Sequence, residues 1–189
     1  MFIQTEATPN PATLKFLPGR EVLGSGTLDL RDATSARQSP LASALFAIPG
    51  VSAVFFGSDF VSVSKSEGEW QHLKPSILGA IMEHYVSGTP LLTDEAERAA
   101  GVETGEDEFF DPADADTVAT IKELLETRIR PAVAGDGGDI SFRGFKDGIV
   151  YLAMKGACSG CPSSTATLKS GIQNLLKHFL PDVQAVEQI

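Results

Sequence analysis

The sequence predicts an α+β protein: two small α+β domains joined by an acidic flexible linker. Three observations point there. Strand-like runs bounded by turn residues stand beside helical apolar stripes in both halves of the chain. Nearly all the net charge lies in one stretch without apolar periodicity. The 189 residues, 42% hydrophobic and 21% charged, hold enough apolar material to bury a core. The expected division is residues 1–88, a linker over 89–112, and residues 113–189.

In the first half, "TLKFLPG" and "EVLGSGTLDL" read as short strands separated by the turn at Pro18 and Gly19. Ser39 and Pro40 then make an N-cap and first-turn pair ahead of "LASALFAI", a helix stopped by Pro49 and Gly50. "VSAVFFG" and "FVSVSKS" face each other across Gly57–Asp59 as a β-hairpin. A helix is expected after Pro75, where Ile77, Leu78, Ile81, Met82 and Tyr85 fall on one stripe. His72 and His84 lie twelve apart with no clustered carboxylate, and both read as surface or capping residues.

Between Asp94 and Asp116 stand ten acidic residues and one base, Arg98, which accounts for nine of the chain's ten net negative charges. Like charges at this density repel, so this stretch reads as a flexible linker, with Phe109 and Phe110 docked on one of the domains.

In the second half Val118, Ile121, Leu125 and Ile129 recur at helical spacing, in a helix kinked or ended near Pro131. "GDGGD" (135–139) follows a helix and precedes a strand, so it is no dinucleotide fingerprint and reads as a tight turn with positive φ. "DISFRGF" and "IVYLAMKG" form a hairpin about Asp147-Gly148. After "GACSGC", Pro162 opens a helix with Leu168, Ile172, Leu175, Leu176 and Phe179 on one face, and "VQAVEQ" adds a last strand.

A net charge of −10 argues against nucleic acid as a partner, because phosphate binding needs a basic face. No apolar run is long enough to span a membrane, and the first residues lack the pattern of an export signal. A cytoplasmic, bacterial setting is expected, or the mitochondrial matrix for a mature eukaryotic form. No nucleophile-base pair or convergent carboxylates can be placed, so an enzyme is not expected.

The only cysteines are Cys158 and Cys161, at the turn from a strand into a helix. Two thiols this close do not staple a fold, which favours a reducing compartment and a metal or redox role. A helix N-terminus favours negative charge and would lower a thiolate pKa. Gly156 and Gly160 would let backbone amides approach sulfur, and Ser159, Ser163 and Ser164 could add donors. Three chemistries remain open. A thioredoxin-like dithiol is one, although a hairpin rather than a βαβ unit precedes the pair. A zinc site needs four ligands, and His178 adds one at most. An iron-sulfur cube likewise asks for four thiolates. Both metal readings are completed when two chains meet about a two-fold axis, each giving two sulfurs.

"RPAVAGDGGDISFRGFKDGIVYLAMKGACSGCPSSTATLKSGIQNLLKHFLP" resembles the C-terminal domain shared by NifU and the Nfu-type iron-sulfur cluster carriers. "MFIQTEATPNPATLKFLPG", "SPLASALFAIPGVSAVFFGSDFVSVSK" and the helix after Pro75 resemble the N-terminal domain of the Nfu proteins. The resemblance spares only the acidic stretch. It implies a scaffold or carrier that binds a labile [4Fe-4S] cluster through Cys158 and Cys161 of two subunits, with [2Fe-2S] or Zn as the alternative occupants. It further implies a homodimer through the cluster, apo iron-sulfur clients, upstream cluster-assembly proteins, and an N-terminal domain that orients clients.

Overall fold

The computed structural model describes the backbone of residues 1–100, 108–159 and 162–189, with side chains at all of these except 98–100 and 164. The chain divides into two compact units, Met1–Thr104 and Gly105–Ile189, each with its own sheet and core.

The first unit is built on a five-stranded antiparallel sheet of β1 (Gln4–Ala7), β2 (Thr13–Leu17), β3 (Leu28–Leu30), β4 (Val51–Phe56) and β5 (Val61–Lys65), in the order β1-β2-β5-β4-β3. The expected hairpin is β4–β5, with Val54 opposite Val63 and Phe56 opposite Val61. Two helices join its core: α1 (Pro40–Phe46) through Leu41 and Leu45, and α2 (Trp70–Ser87) through Leu73, Ile77 and Ile81. Ser39 caps α1 as its sequence dictates, its Oγ accepting the Ala42 N–H at 3.2 Å.

Four details depart from the sequence reading. β1 was not expected, because "QTEA" has no apolar alternation; it forms by pairing with β2. The strand expected over "EVLGSGTLDL" shrinks to β3, since Gly24 and Gly26 both take positive φ and turn the chain before it. α2 starts at Trp70 and carries Pro75 inside it, losing only the bond that a Pro75 N–H would give the Gln71 carbonyl, while its buried face holds the helix in place. On that helix Met82 is 42% exposed, whereas His84 is buried, edge-on to Tyr85, and burial lowers its pKa. The stripe is therefore rotated toward His84, which is a core residue and not a surface one.

Part of the stretch read as linker is also ordered. Helix α3 (Asp94–Ala100) begins where the Thr93 Oγ1 accepts the Ala96 N–H, and buried Leu92 and Ala96 anchor it. Asp94, Glu95 and Glu97 stand in its first turn, where the helix dipole favours acids, so charges that repel in an extended chain here support a helix. Residues 101–107 lie outside the described residues.

The second unit has a four-stranded mixed sheet of β6 (Phe109–Phe110), β7 (Gly138–Lys146), β8 (Ile149–Gly156) and β9 (Ala185–Gln188), in that order. β7 and β8 form the expected hairpin about Asp147 and Gly148, both at positive φ. β6 and β9 lie parallel to their neighbours. Phe109 rests on Gly144, where a Cβ would come within 2.5 Å of its ring, and stands 5.1 Å from Tyr151. The break expected near Pro131 is a π-helical turn, Leu125–Ile129, between α4 (Ala115–Leu124) and α5 (Arg130–Gly135). With α6 (Pro162–Phe179) these helices bury Val118, Ile121, Val133, Ile172 and Leu176. Phe179, expected on the apolar face of α6, is 45% exposed and lies under the Arg128 guanidinium at 5.3 Å.

Candidate metal centre

β7 and β8 are joined at one end by the Asp147-Gly148 turn and deliver Gly138 and Gly156 opposite each other at the other end. The chain leaves β8 at Gly156 (φ 68°) and reaches Cys158 two residues later. Three contacts hold this turn. The Ala157 N–H donates to the Gly137 carbonyl at 3.2 Å, and Ser159 donates both its N–H and its hydroxyl to the Gly156 carbonyl. From the first turn of α6, the Thr165 hydroxyl donates to the Cys158 carbonyl at 3.1 Å.

Cys158 is only 5% exposed and belongs to the hydrophobic core with Ile140, Met154 and Val133. The expectation of a thiol activated by the helix N-terminus does not hold for it. Burial, with the carboxylates of Asp136 and Asp139 adding to it, pushes the Cys158 thiol up to about 12. Cys161 and Gly160 lie outside the described residues, as does the Ser164 side chain. His178 stands in the last turn of α6, edge-on to Phe179, about 24 Å along the helix from Pro162 at ~1.5 Å per residue. Exposed His72 and buried His84 belong to the other unit. Among the described residues no group of three or more His, Cys, Asp or Glu side chains is placed to hold a metal ion.

Two features escaped the sequence reading. The first is Gly138, taken as part of a plain turn. A Cβ there would stand 2.6 Å from the Lys155 carbonyl oxygen and 2.8 Å from the Cys158 Sγ, so the sulfur occupies the space a side chain would need. The second is a bidentate pair: Arg130 Nε donates to Asp139 Oδ1 and its terminal nitrogen to Oδ2, both at 2.9 Å. The same guanidinium reaches Glu126, and Asp139 Oδ1 also accepts the Ile140 N–H at 2.8 Å. Asp139, Glu126 and the charge they add raise the Arg130 pKa further above its ordinary value. This pair clips α5 to the start of β7, next to the glycine beneath the thiol. The second arginine of "TRIRPAV" and the aspartate closing "GDGGD" were the available signal.

Gly138→Ala follows as a test of this packing. It is expected to destabilise the fold by about 1–3 kcal/mol, the usual range for overpacking, and to speed alkylation of Cys158 as the sulfur is pushed outward. Urea unfolding and mass-spectrometric mapping of iodoacetamide labelling read both; unchanged labelling would show that the sulfur and glycine are not in contact.

β8, α6 and β9 form a strand-helix-strand crossover between parallel neighbours, with the cysteine turn at its first corner. A βαβ unit is therefore present after all, and topology does not speak against a dithiol. Burial and the raised thiol pKa of Cys158 do, since such chemistry runs on an accessible thiolate.

Residues 3–88 match the family model described as scaffold protein Nfu/NifU N terminal, and residues 121–187 match that of the NifU-like domain. Among curated relatives, the NFU1 iron-sulfur cluster scaffold homolog, mitochondrial, of Drosophila sechellia is 53% identical over 191 residues, covering 100% of this chain and 65% of its own. NifU-like proteins 4 and 5, mitochondrial, of Arabidopsis thaliana are each 54% identical over 191 residues, covering 100% of this chain and 66% and 68% of their own lengths. The chain thus spans 65% of the length of the Drosophila relative. With both of its α+β units matched and relatives above half identity along the whole of this chain, the chain belongs to the Nfu/NifU-like scaffold protein family.

Proposed function

We propose that this protein carries a labile [4Fe-4S] cluster as cargo, bound between two subunits through Cys158 and Cys161 of each, and hands it to apo-proteins. The observation that carries this reading is Cys158 itself: one of only two thiols in the chain, in the turn that leads into α6, and in no group of three or more metal-ligating side chains among the described residues. A site short of ligands in one chain suits a cluster completed by a second chain and meant to leave again. The names of the relatives as iron-sulfur cluster scaffolds support the same cargo.

The buried state of Cys158 gives loading a structural step. The turn at 157–159 opens, the Ala157–Gly137 and Thr165–Cys158 bonds yield, and each new Fe–S bond displaces the thiol proton. Release reverses this, and the proton and the core contacts regained by the thiol favour the empty carrier. Dimer dissociation and cluster loss are linked, because separation removes half the ligands at once. The first unit orients the clients, and upstream assembly proteins supply the cluster. We take the cluster-carrying part to begin at Gly105, since β6 completes its sheet. The relatives' printed names favour the mitochondrial over the bacterial setting, and no described helix is long and apolar enough to cross a membrane.

Anaerobic reconstitution followed by native mass spectrometry tests the reading. The expected product is a brown dimer with one [4Fe-4S] cluster per two chains, the empty protein remaining largely monomeric. A monomer holding a whole cube would overturn the bridging arrangement. A colourless, zinc-loaded dimer that takes up no iron and sulfide would support the rival reading of a zinc-clipped interaction module, since Zn is d10.

A further inference from the structure

The far end of β7 from Gly138 carries a groove of about 450 Å3 within the second unit. Phe109, Phe110 and Phe145 line it, Phe110 on the same face of the sheet as Phe145 and Phe109 on the other, together with Asp111, Asp114 and Asp147 and one basic residue, Lys146. Phe145 is buried, while Phe109 and Phe110 are 41% and 39% exposed. These rings are fixed in place. Phe109 is seated on Gly144 and Tyr151, and β6 is hydrogen-bonded to β7 with Phe110 opposite Phe145. The acids are fixed as well: Asp111 accepts the Ala113 N–H, and Asp147 sits at the left-handed corner of the β7–β8 turn.

Aromatic faces beside carboxylates suit one kind of side chain above others. A guanidinium is planar and weakly hydrated, stacks on phenyl rings, and presents paired N–H donors to a carboxylate. A second copy of this chain, with its own net charge of −10, would be repelled by the same carboxylates. We propose that the groove receives an arginine side chain, flanked by apolar residues, from an exposed segment of a partner protein. At ~3.3 Å per residue, Gly138 to Phe145 spans about 23 Å, so a partner anchored here leaves the Cys158 end of the sheet uncovered. The inference does not depend on what the cysteines hold.

The test is a titration of the isotopically labelled full-length chain, without cluster, followed by amide NMR shifts. The probe is a capped heptapeptide with one central arginine between two leucines; a twin peptide carries citrulline, neutral and nearly isosteric, in its place. With the arginine peptide, shifts are expected to concentrate at residues 109–111, 114 and 145–147. The citrulline peptide, or the Asp147→Asn variant titrated with the arginine peptide, is expected to bind about tenfold more weakly, as for loss of a charge-assisted hydrogen bond. Asparagine tolerates the left-handed turn, and unchanged Cys158 and Ile140 amides would confirm that the variant is folded. Equal binding of the two peptides, shifts centred elsewhere, or no shifts would each overturn the proposal.

Discussion

Cys158→Ser is expected to retain no cluster after anaerobic reconstitution and desalting, and also to lose about 1–3 kcal/mol of stability. The first effect follows from the proposed ligand role, as an alcohol replaces a thiolate at iron. The second follows from the structure: the sulfur lies in the core beside Ile140 and Met154, where a hydroxyl without a partner costs about that much. Cys158→Ala separates the two effects, since it also lacks a ligand but brings no polar group into the core. Cys161→Ser is expected to match both in cluster loss. Iron and sulfide assays together with urea unfolding decide the matter. Full iron content in Cys158→Ser would remove that residue from the ligand set. Read from the sequence alone, the same exchange would leave the fold untouched, because a cysteine in a glycine-rich turn reads as a surface residue.

Arg130→Met is expected to lower the unfolding free energy by about 2–3 kcal/mol and to weaken cluster retention. Removing one partner of a buried ion pair generally costs ~3–5 kcal/mol; the lower figure here reflects the guanidinium, which is 33% exposed. Asp139 is left buried, with the Ile140 N–H remaining to its carboxylate. Adding Asp139→Asn to Arg130→Met should restore most of the loss, because the amide oxygen can still accept that N–H while the buried negative charge is gone. Matching unfolding midpoints for Arg130→Met and the parent would show that the β7–β8 ladder holds the 136–139 turn unaided.

Much of the architecture was legible because local chemistry and tertiary role coincide. Ser39-Pro40 opens α1, Asp147-Gly148 closes the β7–β8 hairpin, and the apolar faces of Val118–Ile129 and Ile172–Leu176 pack as their spacing implies. Elements made by partners rather than by their own pattern were not legible. β1 exists because β2 offers it an edge, and α3 is a helix because Thr93 caps it and Leu92 and Ala96 find a core, beneath a charge run that conceals both. At the site, the strand-to-helix placement of the cysteine turn could be read from spacing. The burial of Cys158 could not, because it is decided by Gly138, twenty positions earlier, and by a clip between Arg130 and Asp139 that crosses from helix to strand.

The parallel pairing of β8 with β9 bears on how the protein is made. The β7–β8 hairpin can form as soon as it is synthesised, but the other edge of β8 stays open until α6 has crossed back and residues 185–188 have followed. Only then does Val186, wholly buried, enter the core with its N–H bonded to Gln173 of α6. Until then Cys158 stands beside a sheet with one edge unpaired, and contacts between residues far apart in sequence close slowly. The proposed cargo step therefore follows the pairing of residues 185–188, since α6 and β9 both come after the cysteine turn in the chain.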